Sequence, residues 1–121
     1  MDATVWQRAT AVQRYNVGLL HRHGVKLAIG SDHAETSLAE AQHLMELGLF
    51  DNLSLLKLWC EDTPHAIFPD RRIGRLEEGY EASFLVLRDN PLERFDAVTQ
   101  IEYRIKQGHI VAVEKGESWT H

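Results

Sequence analysis

Among the residues able to do chemistry, Asp32 stands out by position. It closes the run Val25-Lys26-Leu27-Ala28-Ile29-Gly30-Ser31-Asp32, a short and nearly continuous apolar stretch that leads toward a helix. The C-terminal ends of such strands are where α/β proteins assemble their sites. A carboxylate there can ligate a metal ion or take a proton from water. A turn or capping role after Gly30-Ser31 accounts for an aspartate at this place equally well. His33, Glu35 and Thr36 follow closely and can line the same pocket as substrate-loop residues, although polar loop residues ordinarily face solvent.

The chain carries seven histidines. His21 and His23 form a His-x-His pair, but they precede the strand whereas Asp32 follows it. Six or seven strand residues separate the two ends by roughly 20 Å, beyond any shared coordination sphere. Complementing the negative end of a helix dipole is the better account of this pair. Glu40-x-x-His43 matches one half of a di-iron carboxylate motif, yet such a site needs a second copy and further glutamates on facing helices. A solvated helix face is the simpler reading, and His65, beside Thr63-Pro64, has no assigned role. Cys60 is the single cysteine, so no internal disulfide forms. It reads as a buried small hydrophobe in the apolar stretch Leu55–Cys60, without a base beside it to make it a nucleophile. The sequence contains no Gly-rich phosphate loop, Cys-x-x-Cys, Gly-x-Ser-x-Gly or His-Glu-x-x-His. A catalytic zinc usually takes three protein ligands, of which this chain offers one defensible candidate, Asp32.

The elements that must position these groups follow from patterning. Val5, Ala9, Val12, Leu19 and Leu20 recur at helical spacing from Thr4 to His23, with Asp2 or Thr4 as N-cap and Gly24 as the left-handed closing residue. Residues 25–31 read as a strand covered on both faces. Ser37-Leu38-Ala39-Glu40 has the form of a capping box for a second helix that Gly48 ends, and a third helix occupies Ser54 to Asp62. Thr63-Pro64 supplies a fresh cap with proline at the first helical position, and Pro69 stops the turn that follows. Residues 1–70 are thus a helical region with one barrel-type strand. Residues 71–121 change to short strands. Phe84–Leu87 is one, ended by the turn Asp89-Asn90-Pro91, and Ile101–Lys106 turns at Gln107-Gly108 into His109–Val113, a hairpin over 101–113. The strand at 25–31 is flanked by helices as in a βαβ unit, yet the helical region holds no second strand to pair with it. Its backbone needs neighbours from the C-terminal strands, another chain or an N-terminal region.

A chain of 121 residues with 44% hydrophobic and 26% charged residues is sized and composed as one globular domain. A net charge of -5 without a basic block disfavours nucleic acid and anionic membranes as partners. The lone cysteine suits a reducing compartment, and the N-terminal residues lack the pattern of a signal peptide. Cytoplasmic localisation is the expectation.

Five segments, in order, resemble the amidohydrolase superfamily, with the imidazolonepropionase-like enzymes as the nearest group. Gly24–Asp32 is similar to its eighth barrel strand. Leu53–Ala66 is similar to the following helix and its "T-x-N-P-A" segment. The run Arg72-Ile73-Gly74-Arg75-Leu76-Glu77-Glu78-Gly79-Tyr80-Glu81-Ala82-Ser83-Phe84-Leu85-Val86-Leu87 resembles "I-G-S-L-x-x-G-x-x-A-D-L-V-V-L". Asn90-Pro91-Leu92 matches "N-P-L", and Lys106–Val111 resembles the closing "V-x-x-G-x-x-V". Ser83 stands where the family often has aspartate, and Thr63-Pro64-His65-Ala66 lacks the usual asparagine.

The resemblance implies an α/β fold: the final strand and flanking helices of a TIM-barrel amidohydrolase, with short C-terminal strands from a composite β-sandwich, or an α+β fold if the chain folds alone. It implies hydrolysis of amide or cyclic-amide C-N bonds in a small-molecule or peptide-like substrate, with one or two divalent metals, zinc foremost. In that family the aspartate after strand eight, here Asp32, approaches the metal and accepts a proton from the water the metal activates. The family's His-x-His after strand one, its lysine or glutamate after strand four and its histidines after strands five and six have no counterpart here. The isolated chain is therefore expected to be inactive and to await a missing N-terminal barrel portion. The alternative is a non-catalytic, stand-alone interaction module derived from the same fold, with the orphan strand shared in a homo-oligomer.

Overall fold

The computed structural model describes residues 2–30, 36–115 and 118–120. The first helix, α1, spans Ala3–Arg22. Asp2 is its N-cap, accepting the Val5 N–H at 2.9 Å and so satisfying one of the amides a helix start leaves unpaired. At the other end Gly24 takes φ +73°, its N–H donates to the His21 carbonyl and that of Val25 to the Leu20 carbonyl. This Schellman closure needs a left-handed residue, which glycine adopts without steric cost. None of the residues of α1 is fully buried, and Val5, Val12 and Leu20 remain exposed. Val17 packs against the core, and directed contacts also hold the helix. Arg14 Nε donates to the Leu47 carbonyl at 2.8 Å, Gln13 bonds His43 at 2.7 Å, and the His21 ring meets Phe50 edge-on at 5.0 Å.

The second helix, α2, runs over Ser37–Glu46 with Thr36 as its N-cap. The capping box expected at Ser37-Glu40 does not form, because the helix begins one residue earlier and Ser37 Oγ accepts the Trp59 indole N–H at 3.3 Å. The next helix, α3, covers Asn52–Lys57 and is capped by Asp51, which accepts the Ser54 N–H at 2.7 Å. Hydrogen bonding from Ser54, by its side chain first and its backbone N–H second, holds the Asp51 carboxyl below its ordinary range.

The sequence reading placed a new helix start at Thr63. The chain instead stays helical through a wide π-turn over Leu58–Asp62 into α4, Thr63–Ile67. The reason is Pro64, which has no N–H and whose ring crowds the carbonyl four residues earlier. An i→i−5 bond from Thr63 N–H to the Leu58 carbonyl accommodates this without breaking the helix.

The C-terminal half is an antiparallel meander of order β1-β2-β3-β4: β1 is Phe84–Leu87, β2 Ile101–Lys106, β3 His109–Lys115 and β4 Ser118–Thr120. The β2–β3 turn places Gln107 at φ 51° and Gly108 at φ 80°, the two positive values of a type I′ turn. In the β1–β2 connection Asn90 Oδ1 accepts the Leu92 N–H at 2.9 Å, forming the expected turn. A 3₁₀ turn over Phe95–Thr99 follows, and its Phe95, Ala97 and Val98 are buried. Phe95 and Val98 join Ile29, Ala41, Phe50, Leu55 and Leu58 in one apolar cluster, so the core lies between the helical half and this 3₁₀ turn, with Leu87 of β1 packed against it.

The strand expected at 25–31 is not seen over its described part. Residues 25–30 join no ladder, and the described sheet is formed by C-terminal strands alone. A ladder needs a second strand alongside, and no described strand pairs with this segment.

Candidate functional site

Asp32, His33 and Glu35 lie outside the described residues. The structure describes what leads in and out. Ile29 is buried in the core, and its N–H donates to Thr63 Oγ1 at 2.9 Å. The Thr63 hydroxyl in turn donates to the Leu58 carbonyl at 2.6 Å. Thr63 is the one polar residue in the buried set among the described residues, at 7% exposure. The sequence reading treated it as a cap. A threonine just before a proline inside a helical stretch is the signal for the other role, since its hydroxyl can reach back to a carbonyl of the preceding turn.

On the outgoing side Thr36 has extended backbone (φ -84°, ψ 159°) and starts α2 with no side-chain cap bond. It opens onto a groove of about 650 Å³ between the helices and the sheet, lined by Leu38, Leu56, Trp59, Cys60, Leu76, Phe84, Leu87 and Ile101 among others. The lining is mostly apolar, with Arg75, Arg104 and Ser83 among its polar members. Arg75 pairs with Glu61, whose Oε1 lies 2.7 Å from Arg75 Nε, and this partner raises the guanidinium pKa further above its ordinary value.

Cys60, expected to be buried, is exposed and lines the groove. Apolar neighbours nevertheless desolvate the sulfur and push the thiol pKa up, so it remains protonated and a poor nucleophile. His43 is not on a solvated face. It is half-buried, bonds Gln13 and lies with its ring centroid 5.9 Å from that of Trp6, joining α2 to α1 rather than to a metal. His21 packs on Phe50 at the end of α1, and His65 is exposed. Among the described residues no three His, Cys, Asp or Glu side chains come together. A catalytic zinc needs about three such ligands, so these residues alone do not fit one.

The profile of the amidohydrolase family matches residues 7–113. This chain belongs to that family. An ochratoxinase from Aspergillus niger is 36% identical over 73 residues, covering 58% of this chain and 15% of the relative; a second strain's ochratoxinase gives the same figures. The crystal structure of an uncharacterised protein superposes with a TM-score of 0.69 at 23% identity, over 84% of this chain and 26% of that one. The amidohydrolase fold is therefore present here as a portion: helices and a small antiparallel sheet, spanning a minor share of each longer relative. Among the described residues no helix is long and apolar enough to cross a membrane.

Proposed function

We propose that this chain is the C-terminal part of a metal-dependent amidohydrolase acting on amide or cyclic-amide C-N bonds, and that it is inactive until the rest of a TIM barrel completes it. The observation that carries the reading is the family match over 7–113 in a chain that spans 15% of the ochratoxinase. The unpaired segment 25–30 and the unburied α1 are in keeping with it, since a barrel would supply ladder partners to the one and cover to the other.

In the completed enzyme Asp32 is the proton acceptor. It takes the proton of the attacking water as the water's oxygen adds to the carbonyl carbon, and returns it to the leaving nitrogen as the C-N bond breaks. A divalent metal, zinc foremost, would polarise the carbonyl and lower the water's pKa, held chiefly by ligands this chain does not contain. His33, Glu35 and Thr36 would line the substrate loop. The missing portion lies upstream in the same polypeptide or on a partner, in the cytoplasm, and the substrate is a small or peptide-like molecule, as the ochratoxinase relative suggests.

The test joins the chain to a complementary barrel portion and follows amine release from N-acyl amino acids in the presence of zinc. The completed protein hydrolyses, the isolated chain does not, and Asp32→Asn lowers kcat by about 10²–10⁴-fold with little change in KM. Hydrolysis by the isolated chain that survives Asp32→Asn would overturn the proposal.

A further inference from the structure

Strand β1 lies at an edge of the sheet, pairing with β2 on one side and with no described strand on the other. Which of its backbone groups face the open side follows from alternation along the strand. The Ala82 carbonyl accepts the Gly108 N–H at 2.8 Å and the Arg88 N–H donates to the Gln100 carbonyl at 3.0 Å, so the even-numbered residues turn their N–H and C=O toward β2 and its turn. Leu85 and Leu87 therefore turn theirs outward. Among the described residues no hydrogen bond satisfies these groups. Natural edge strands are guarded by lysine, proline or a bulge. Phe84-Leu85-Val86-Leu87 has no charge and no proline, and the register shift at Val86/Leu87 places its extra residue, Glu102, on β2 instead. The apolar side chains beside the edge are uncovered too: Phe84 is 36% exposed, Leu85 49%, and Leu76, which lines the same groove, 85%.

We infer that a second copy of this chain occupies the edge, the two β1 strands pairing antiparallel about a two-fold axis at Val86. Outward groups two residues apart have the spacing an antiparallel mate needs, so Leu85 exchanges both its backbone bonds with the partner's Leu87, and Leu87 with the partner's Leu85. Val86 then faces the partner's Val86 in the closer, non-hydrogen-bonded kind of pair. Because Phe84–Leu87 carries no charge, the symmetric pairing sets no like charges opposite one another. So short a ladder is marginal by itself, and burial of Phe84, Leu85 and Leu76 supplies the rest. The inference goes beyond the hydrolytic reading above and draws nothing from Asp32.

The test is sedimentation of the full chain over a concentration series, beside Leu85→Lys and Leu85→Pro. Lysine places a charge on the edge, and proline removes an outward N–H while leaving the ladder to β2 its donors. The parent sediments as a dimer that dissociates on dilution, and each variant weakens the dimer by about tenfold or more with its circular dichroism unchanged. Should proline distort the sheet, Leu85→Lys carries the same readout. Register is read separately by cross-linking with glutathione disulfide in a Cys60→Ser background. Val86→Cys forms a disulfide between copies, because the two Cβ atoms of such a pair lie about 4.5–5.5 Å apart. Leu85→Cys does not, since the residue opposite it is a leucine. A parent that is monomeric at every concentration overturns the inference and leaves the edge to a strand of the longer protein. So does a dimer that neither Leu85 variant weakens, or cross-linking at Leu85→Cys as efficient as at Val86→Cys. Hydrolysis that survives Asp32→Asn would remove the functional reading without touching any of these measurements, so the two failures are distinguishable.

Discussion

Replacing Gly74 by alanine attacks the contact between the loop before the sheet and the π-turn beneath it. Gly74 has φ +104°, where an L side chain is strained, and strain of that kind costs about 1–3 kcal/mol. An added Cβ would also overlap the Cys60 carbonyl oxygen and lie 3.2 Å from Glu61 Cα. Both are backbone atoms of a turn whose path is set by Pro64 and the Thr63 hydroxyl, so they cannot step aside as the tip of a flexible side chain would. Forcing such a displacement adds about 1–3 kcal/mol. The sum, about 2–6 kcal/mol, is a large share of the roughly 5–15 kcal/mol that holds a domain together. With a urea slope of about 2 kcal/mol per molar, a loss near 4 kcal/mol lowers the unfolding midpoint by about 2 M. Gly24→Ala separates the two contributions, because Gly24 has φ +73° but nothing within 4 Å of its added Cβ. It should lose only the conformational part, about 1 kcal/mol. If Gly74→Ala unfolds at the same urea concentration as Gly24→Ala, the loop is not seated on the Cys60 carbonyl and the reasoning fails.

Two further outcomes follow from the loop and the sheet. Glu81 accepts from Arg71 Nη2 at 2.7 Å and from Ser83 Oγ at 2.7 Å, and the Arg71 bond is the main reason its carboxyl titrates below 4.5. A carboxyl whose folded pKa is depressed contributes stability that is present above its unfolded pKa and lost as pH falls through the folded value. Glu81→Gln should therefore be less stable than the parent at pH 7, with the gap closing as pH drops below 4.5; a gap of constant size in urea titrations across that range would rule out the ion pair as its source. Gln107 holds φ 51° in the type I′ turn, a position where asparagine is at lower cost. Gln107→Asn should raise the thermal midpoint by about 2–6 °C for a gain near 1 kcal/mol, and an unchanged or lower Tm by calorimetry would contradict that turn geometry.

The candidate site was legible to different depths at different residues. The family could be read because the motif segments keep their order along the chain, which requires no knowledge of contacts. Thr63 could not be read correctly, because Ser/Thr before Pro signals a helix start equally well. Only the packing of Ile29 against the π-turn shows that the hydroxyl serves both. His43 gave a false hint for a related reason. Spacing on one helix cannot reveal that Trp6 and Gln13 of α1 already occupy its ring and nitrogen. The apolar groove was invisible for a third reason, as its wall comes from five separate stretches of chain.

Local physical chemistry determined what needs only neighbours in sequence. The Asp2 cap, the Gly24 closure, the Asn90 turn, the Gln107-Gly108 hairpin and the strands at 84–87 and 101–106 appear where composition and periodicity place them, and the strand read at 109–113 forms and runs two residues further, to Lys115. Tertiary structure decided what depends on distant partners. The segment 25–30 has a strand's composition but no ladder, because pairing is a property of two segments and this chain's described residues supply only one. The motif glycine Gly74 likewise has a visible place in the sequence, but its reason lies in the Cys60 carbonyl oxygen, from a distant turn, that any added Cβ would meet.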